Sequence, residues 1–148
     1  MGDFENRLSE RIDELRWLYF ELYGENYPAF EYLLSVLKDS FKKRSRSLKQ
    51  WDKKRTADER WYKDNQRLGM LMYADCFAGT LKGVKEKLPY IRETGVNYLH
   101  LMPLLKSPEG RSDGGYAVSD FRNVEPRLGD IEDLSLLAEE CHKENISR

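Results

Sequence analysis

The stretch SDGGYAVSD, residues 112–120, sets an acid, two adjacent glycines and an aromatic ring side by side. Glycines let a backbone take dihedral angles closed to other residues and let a ligand come close. A carboxylate accepts hydrogen bonds from sugar hydroxyls. A tyrosine ring lies well against the apolar C–H face of a sugar. Asp113 and Tyr116 are therefore candidate substrate-binding residues. The plainer alternative is a surface turn at Asp113–Gly114, a common turn dipeptide, with Tyr116 filling a gap in the core.

On these residues alone the turn is the preferred reading, while position argues for the first. The motif follows VNYLHLMPLL, a near-continuous apolar run interrupted by Pro103. Such runs mark strands covered on both faces, as in parallel sheets. Parallel α/β folds bind ligands at the carboxyl ends of their strands.

The elements that must position this motif are readable in part. Up to residue 68 the pattern is helical. Leu8, Ile12, Leu15, Leu18 and Leu22 recur every three or four residues and predict one apolar stripe on a helix. Gly24 reads as its stop, and Pro28 as the first turn of a second helix through Phe30, Leu33, Leu34, Leu37 and Phe41. Thr56 with Glu59 reads as a capping box opening a third, shorter helix, ADERWYKDNQR.

The pattern changes at Gly69. MLMYADCFAG is short, apolar and glycine-bounded, as a buried strand would be. TLKGVKEKLPYIRETG follows with helical spacing, a kink expected at Pro89 and a C-terminal cap at Gly95. After the second strand, 105–129 reads as a long loop. Asp130 is then a candidate N-cap for DIEDLSLLAEECHKEN, with Leu134, Leu137, Ala138 and Cys141 on one face. Strand, helix, strand, loop, helix is an α/β signature. The domains are thus expected at 1–68 and 69–148.

Composition narrows the function. The chain has 148 residues, 40% hydrophobic and 34% charged, with 25 basic and 26 acidic residues. That fits about one folded domain with a solvated surface. The balance calls for neither nucleic acid nor an anionic membrane. No run approaches the ~20 apolar residues of a membrane span. The charged opening MGDFENRLSER has no signal-peptide run, so a cytoplasmic location is expected. Cys76 and Cys141 lack metal-ligand spacing and read as reduced thiols; no metal and no cofactor are expected.

SDGGYAVSDFRNVEPRLGDIEDL resembles the loop after the second barrel strand of the α-amylase superfamily, glycoside hydrolase family 13. YLHLMPLL with PEGRSDGGYAVS is similar to the amylosucrase branch in particular. LYG and RSRSLKQWD resemble that branch's helical amino-terminal domain. The resemblance implies the first two βα units of a (β/α)8 TIM barrel, preceded by an all-helical domain. It also implies an enzyme that splits sucrose and passes the glucosyl unit to an α-1,4-glucan by a retaining mechanism. The reacting carboxylates of such enzymes stand roughly 5–5.5 Å apart. By position, Asp113 matches the aspartate at the bottom of the glucose pocket and Tyr116 the tyrosine stacked under that glucose. The expected partners are sucrose and the glucose units of α-glucans.

The family's nucleophile and acid/base belong to later strands, so no catalytic residue is assigned here. KENISR reads as the lead-in to a third strand. Two strands leave sheet edges open, and the chain alone is expected to be marginal and without turnover. Other readings stay open. One is a different enzyme of the superfamily: an α-glucan hydrolase, a sucrose phosphorylase or a trehalose-forming isomerase. Another is a non-catalytic helical interaction or sugar-binding fragment.

His100 reads as a core histidine, and His142 as lying on the wet face of the last helix. Asp75, near the end of the first strand, reads as a structural acceptor or a pocket residue. FKKRSRSLKQWDKKR, residues 41–55, holds eight basic residues and one acid. It reads as a solvated helix face, with a phosphate or acidic-glucan contact as the alternative.

Overall fold

The computed structural model describes residues 3–58 and 60–147. The chain divides into two compact units, Met1–Glu59 and Arg60–Arg148. The division lies upstream of the 68/69 boundary read from the sequence. Residues 60–68 are tied by hydrogen bonds to the second unit: the Leu68 carbonyl accepts from the Asn97 and Tyr98 N–H groups, and Asn97 Nδ2 donates to the Gln66 carbonyl.

The first unit is helical. It comprises α1 (Asp3–Tyr23), α2 (Tyr27–Lys43) and α3 (Arg46–Ala57). Each of the last two is opened by a side chain accepting a free amide of the first turn. Asn26 Oδ1 accepts from the Ala29 N–H at 3.1 Å, and Ser45 Oγ from the Leu48 N–H at 3.3 Å. Phe30 is buried, with the Tyr19 and Phe20 rings 5.4 and 5.6 Å away. These aromatic contacts turn the end of the expected leucine stripe outward: Leu18 is 45% and Leu22 75% exposed.

The third helix departs from expectation. Thr56 does not open a helix; it lies in the last turn of α3, its Oγ1 donating to the Asp52 carbonyl. Its proposed partner Glu59 lies outside the described residues. Among the described residues of 60–68, a 3-10 turn, Trp61–Lys63, forms.

The second unit carries β1 (Gly69–Met72), α4 (Ala74–Ala78), α5 (Leu81–Glu86), α6 (Leu88–Glu93), β2 (Tyr98–Leu101), β3 (Leu105–Lys106), β4 (Asp120–Val124) and α7 (Ile131–Lys143). β1 and β2 run parallel with Met70 opposite Leu99 and Leu71 opposite His100. On the other side of β2, Ser147 forms a parallel bridge to Tyr98, its carbonyl accepting from the Leu99 N–H at 2.7 Å. Leu81, Val84, Ile91, Leu99, Leu137 and Cys141 form the centre of the core.

Five expectations are corrected here. MLMYADCFAG is strand only to Met72; its second half is the helix α4, ended at Gly79 with φ 77°. The run 96–105 is not covered on both faces. Along β2 exposed and buried residues alternate, because the helices cover one face. His100 is accordingly exposed, not a core residue. The expected loop 105–129 holds an antiparallel pair, β3 with β4. The expected kinked helix is two helices, α5 and α6, meeting at Lys87 with Pro89 in the first turn of α6, where its missing N–H costs nothing.

α7 is opened by reciprocal caps. Asp130 Oδ1 accepts from the Asp133 N–H at 2.9 Å, and Asp133 Oδ2 accepts from the Asp130 N–H at 3.3 Å. This fixes the chain where it leaves the β3–β4 segment and turns back over the core.

Candidate functional site

The sheet delivers its chain to one end. Past Met72 and Leu101 the pairing continues for one more bond, from the Met102 N–H to the Met72 carbonyl at 2.8 Å. Tyr73 and Asp75 leave the carboxyl end of β1 there, and Met102 and Pro103 the end of β2. The β3–β4 pair extends from this edge, and the Asp113–Gly115 turn lies in its connection.

Local hydrogen bonds shape the turn. The Ser112 carbonyl accepts from the Gly115 N–H at 2.8 Å and the Ala117 N–H at 3.0 Å. Asp113, Gly114 and Gly115 take φ of 46°, 66° and 94° in succession, all left-handed. Asparagine and aspartate tolerate this region better than most residues, and glycine best. The carboxylate of Asp113 is exposed. Tyr116 is 61% exposed, and its hydroxyl points to Met102 Sδ at 3.9 Å. Tyr116 is thus not core filling; it stands beside the residue that follows β2.

A cavity of about 740 Å³ opens at the same edge. Its walls include Tyr73 and Asp75 after β1, Ser107 after β3, Gly114 and Gly115 of the turn, and Arg127 before α7. Asp113 and Tyr116 do not line it. The turn's backbone is therefore a wall of this cavity, while the two side chains singled out by sequence lie outside it.

Arg127 was not recognisable from sequence as a site residue. Its Nη1 pairs with Asp75 Oδ2, and Asp75 Oδ1 also accepts from the Cys76 N–H at 2.9 Å. The Arg127 hydrogen bond holds the Asp75 carboxyl below its ordinary value; partial burial opposes this, and the Cys76 N–H assists. Asp75 is thus both a structural acceptor and a cavity residue. Glu125 sits nearby with Oε2 accepting from the Ser107 N–H and hydroxyl at 3.2 and 3.3 Å.

The lining is rich in hydroxyls, carboxylates and cations fixed on hydrogen-bonded loops. Such a set suits a polyhydroxylated ligand. Among the described residues no group of three His, Cys, Asp or Glu side chains is placed to hold a metal ion, and no helix is long and apolar enough to cross a membrane. Cys76 is an exposed thiol and Cys141 a buried one.

Parallel strands feeding a polar cavity at their carboxyl edge define a mixed α/β protein with a candidate ligand site where such folds carry theirs. The chain belongs to the α-amylase family: the family model described as alpha amylase, catalytic domain, matches residues 35–147. It is 38% identical over 68 residues to an oligo-1,6-glucosidase of Parageobacillus thermoglucosidasius, covering 46% of this chain and 12% of that protein. It is 38% identical over 90 residues to a trehalose synthase of Thermus thermophilus, covering 57% of this chain and 9% of that one. Among solved structures it is similar to a trehalose-6-phosphate hydrolase of Bacillus licheniformis, with a TM-score of 0.51 and 31% identity over 58% of this chain and 16% of the other. The chain thus spans about an eighth or less of the length of these curated relatives.

Proposed function

We propose that this chain contributes a glucose-binding corner to an amylosucrase-like glucosyltransferase, acting on sucrose and α-glucans by a retaining mechanism. On this reading residues 69–147 are the first two βα units of a (β/α)8 barrel and the helices before them an amino-terminal domain. The observation that carries it is the placement of Asp113 and Tyr116. Both side chains are exposed on a turn at the carboxyl edge of the strands, and the Tyr116 hydroxyl meets Met102 Sδ.

The chemistry follows from the groups. The Asp113 carboxylate accepts hydrogen bonds from two hydroxyls of a glucosyl ring. The Tyr116 ring supports the apolar face of the same ring. Neither group breaks the glycosidic bond; they hold the sugar for carboxylates placed elsewhere in the family's fold. Asp75 and Arg127 are paired with each other and act as positioning residues, tying the segment before α7 to the end of β1.

Titrating the chain with glucose, sucrose and maltooligosaccharides while following the amide resonances of 112–117 tests this. Saturable shifts there, lost in Tyr116→Ala and Asp113→Asn, are the expected result. Shifts that survive both substitutions would sink the assignment. A second reading within the family is a hydrolase or an isomerase, supported by the glucosidase and trehalose synthase relatives. Selective response to trehalose or isomaltose over sucrose would favour it. A folded chain with no sugar response would instead favour a non-catalytic helical module.

A further inference from the structure

The first unit holds a second concavity, remote in sequence from the sugar-binding turn. It is a groove of about 650 Å³ between α1 and α3, closed at one end by Phe41 of α2. Arg7 of α1 and Arg46, Lys49 and Lys53 of α3 line it, against two carboxylates, Glu10 and Asp52.

The three α3 residues fall on one side of the helix because their spacing, three and then four, is that of a single face. Ser45 sets this phase by capping the helix start. Asp52 is matched chiefly by Arg44, which does not line the groove, and less by Arg7, which does. The two Asp52 oxygens accept from Arg44 Nε and Nη2 at 2.5 and 2.8 Å, a bidentate pair that occupies both carboxylate oxygens. Lys49 is held over the groove: its Nζ lies 4.7 Å from the Phe41 ring centroid and 3.4 Å from the Lys42 carbonyl. Segment 41–55 thus concentrates eight basic residues against one acid in a chain whose net charge is −1. A mere solubilising surface does not require such segregation, nor a concavity beneath it.

We propose that the α1–α3 groove binds a phosphate group, carried either by a small sugar phosphate or as an ester on a glucan chain. Lysine and arginine N–H donors on one helix face supply the charge-assisted hydrogen bonds that phosphate oxygens accept. The groove's size admits a phosphorylated sugar unit. The site is independent of the Asp113–Tyr116 reading and stands or falls separately from it.

The test is calorimetric titration of the full chain with pyrophosphate, a hexose phosphate, a phosphorylated maltooligosaccharide and its unphosphorylated counterpart, with a short DNA duplex as competitor. Saturable binding of the phosphorylated ligands that weakens with added salt is expected, with no heat from the unphosphorylated glucan at the same concentration. Preference for the hexose phosphate or for the phosphorylated glucan identifies the source of the group. Arg46→Gln with Lys49→Gln removes two cations while keeping good helix formers. It should weaken binding by about tenfold or more, as loss of charge-assisted bonds implies. Lys87→Gln, on the second unit, should leave it unchanged. Amide shifts induced by pyrophosphate in the native chain map the site without any substitution and should cluster on α1 and α3. No saturation, equal affinity in the double variant, shifts centred elsewhere, or a duplex that binds more tightly than every phosphorylated sugar would overturn the proposal.

Discussion

Gly115 lies against Pro103, so close that a Cβ on Gly115 would stand 2.9 Å from the proline Cβ. The same residue has φ 94°, where side chains are strained whatever the space. Two independent constraints therefore require glycine at this position. Gly115→Ala is expected to cost about 1–3 kcal/mol, the range for one residue forced into such a region. The loss should be local. Hydrogen exchange at the Gly115 and Ala117 amides, both bonded to the Ser112 carbonyl, should accelerate while that of α7 stays unchanged. Unaltered protection at the turn would show that the backbone adapts and that the close approach to Pro103 is not needed.

The Asp75–Arg127 pair predicts a pH dependence with a definite sign. Asp75 has its carboxyl held below the ordinary value in the folded chain, chiefly by the Arg127 hydrogen bond. A group lowered on folding adds stability above its unfolded value and loses it as pH falls through the folded value. The pair should therefore stay intact down through the usual aspartate range near ~3.9 and open only below it. Carbon-detected titration of the Asp75 carboxyl should give a midpoint below the ordinary aspartate value. Arg127→Gln should return the midpoint toward the ordinary value. A titration unchanged by that substitution would assign the shift to the Cys76 N–H instead.

The Asp130 cap was legible because capping is local: the acceptor and the amide it bonds are three residues apart. The change of pattern at Gly69 was legible because strand and helix differ in period. β3 was not, since a strand of two residues has no period to detect. ADCFA is helical where a strand is expected, because a short apolar run fits a strand and a buried helical turn equally. The burial of His100 was overestimated because an apolar neighbourhood in sequence does not say how many faces the fold covers.

The site shows the same divide. Asp113, its glycines and Tyr116 are contiguous, so their turn could be anticipated. Asp75 and Arg127 are 52 residues apart, and only the return of the chain before α7 brings them together. No spacing rule connects such a pair.

Leu71 and Leu99 offer the sharpest test of which sheet face is sealed. They lie on adjacent parallel strands, Leu99 opposite Met70, one position out of step with Leu71. Successive side chains on a strand point to opposite faces, so this offset sends the two leucines to opposite sides. Leu99 is 1% exposed and packs with the helices, whereas Leu71 is 65% exposed. Leu99→Ala should therefore cost about 2–5 kcal/mol, the usual range for a leucine removed from a packed core. Leu71→Ala should change stability by no more than ~0.5 kcal/mol, as surface substitutions do. Urea unfolding of both variants checks this. If further polypeptide covers the outer face in a larger assembly, Leu71→Ala will become costly there while its effect in this chain stays small. Equal costs in this chain would mean that the outer face is already packed, contrary to the arrangement of helices around β1 and β2.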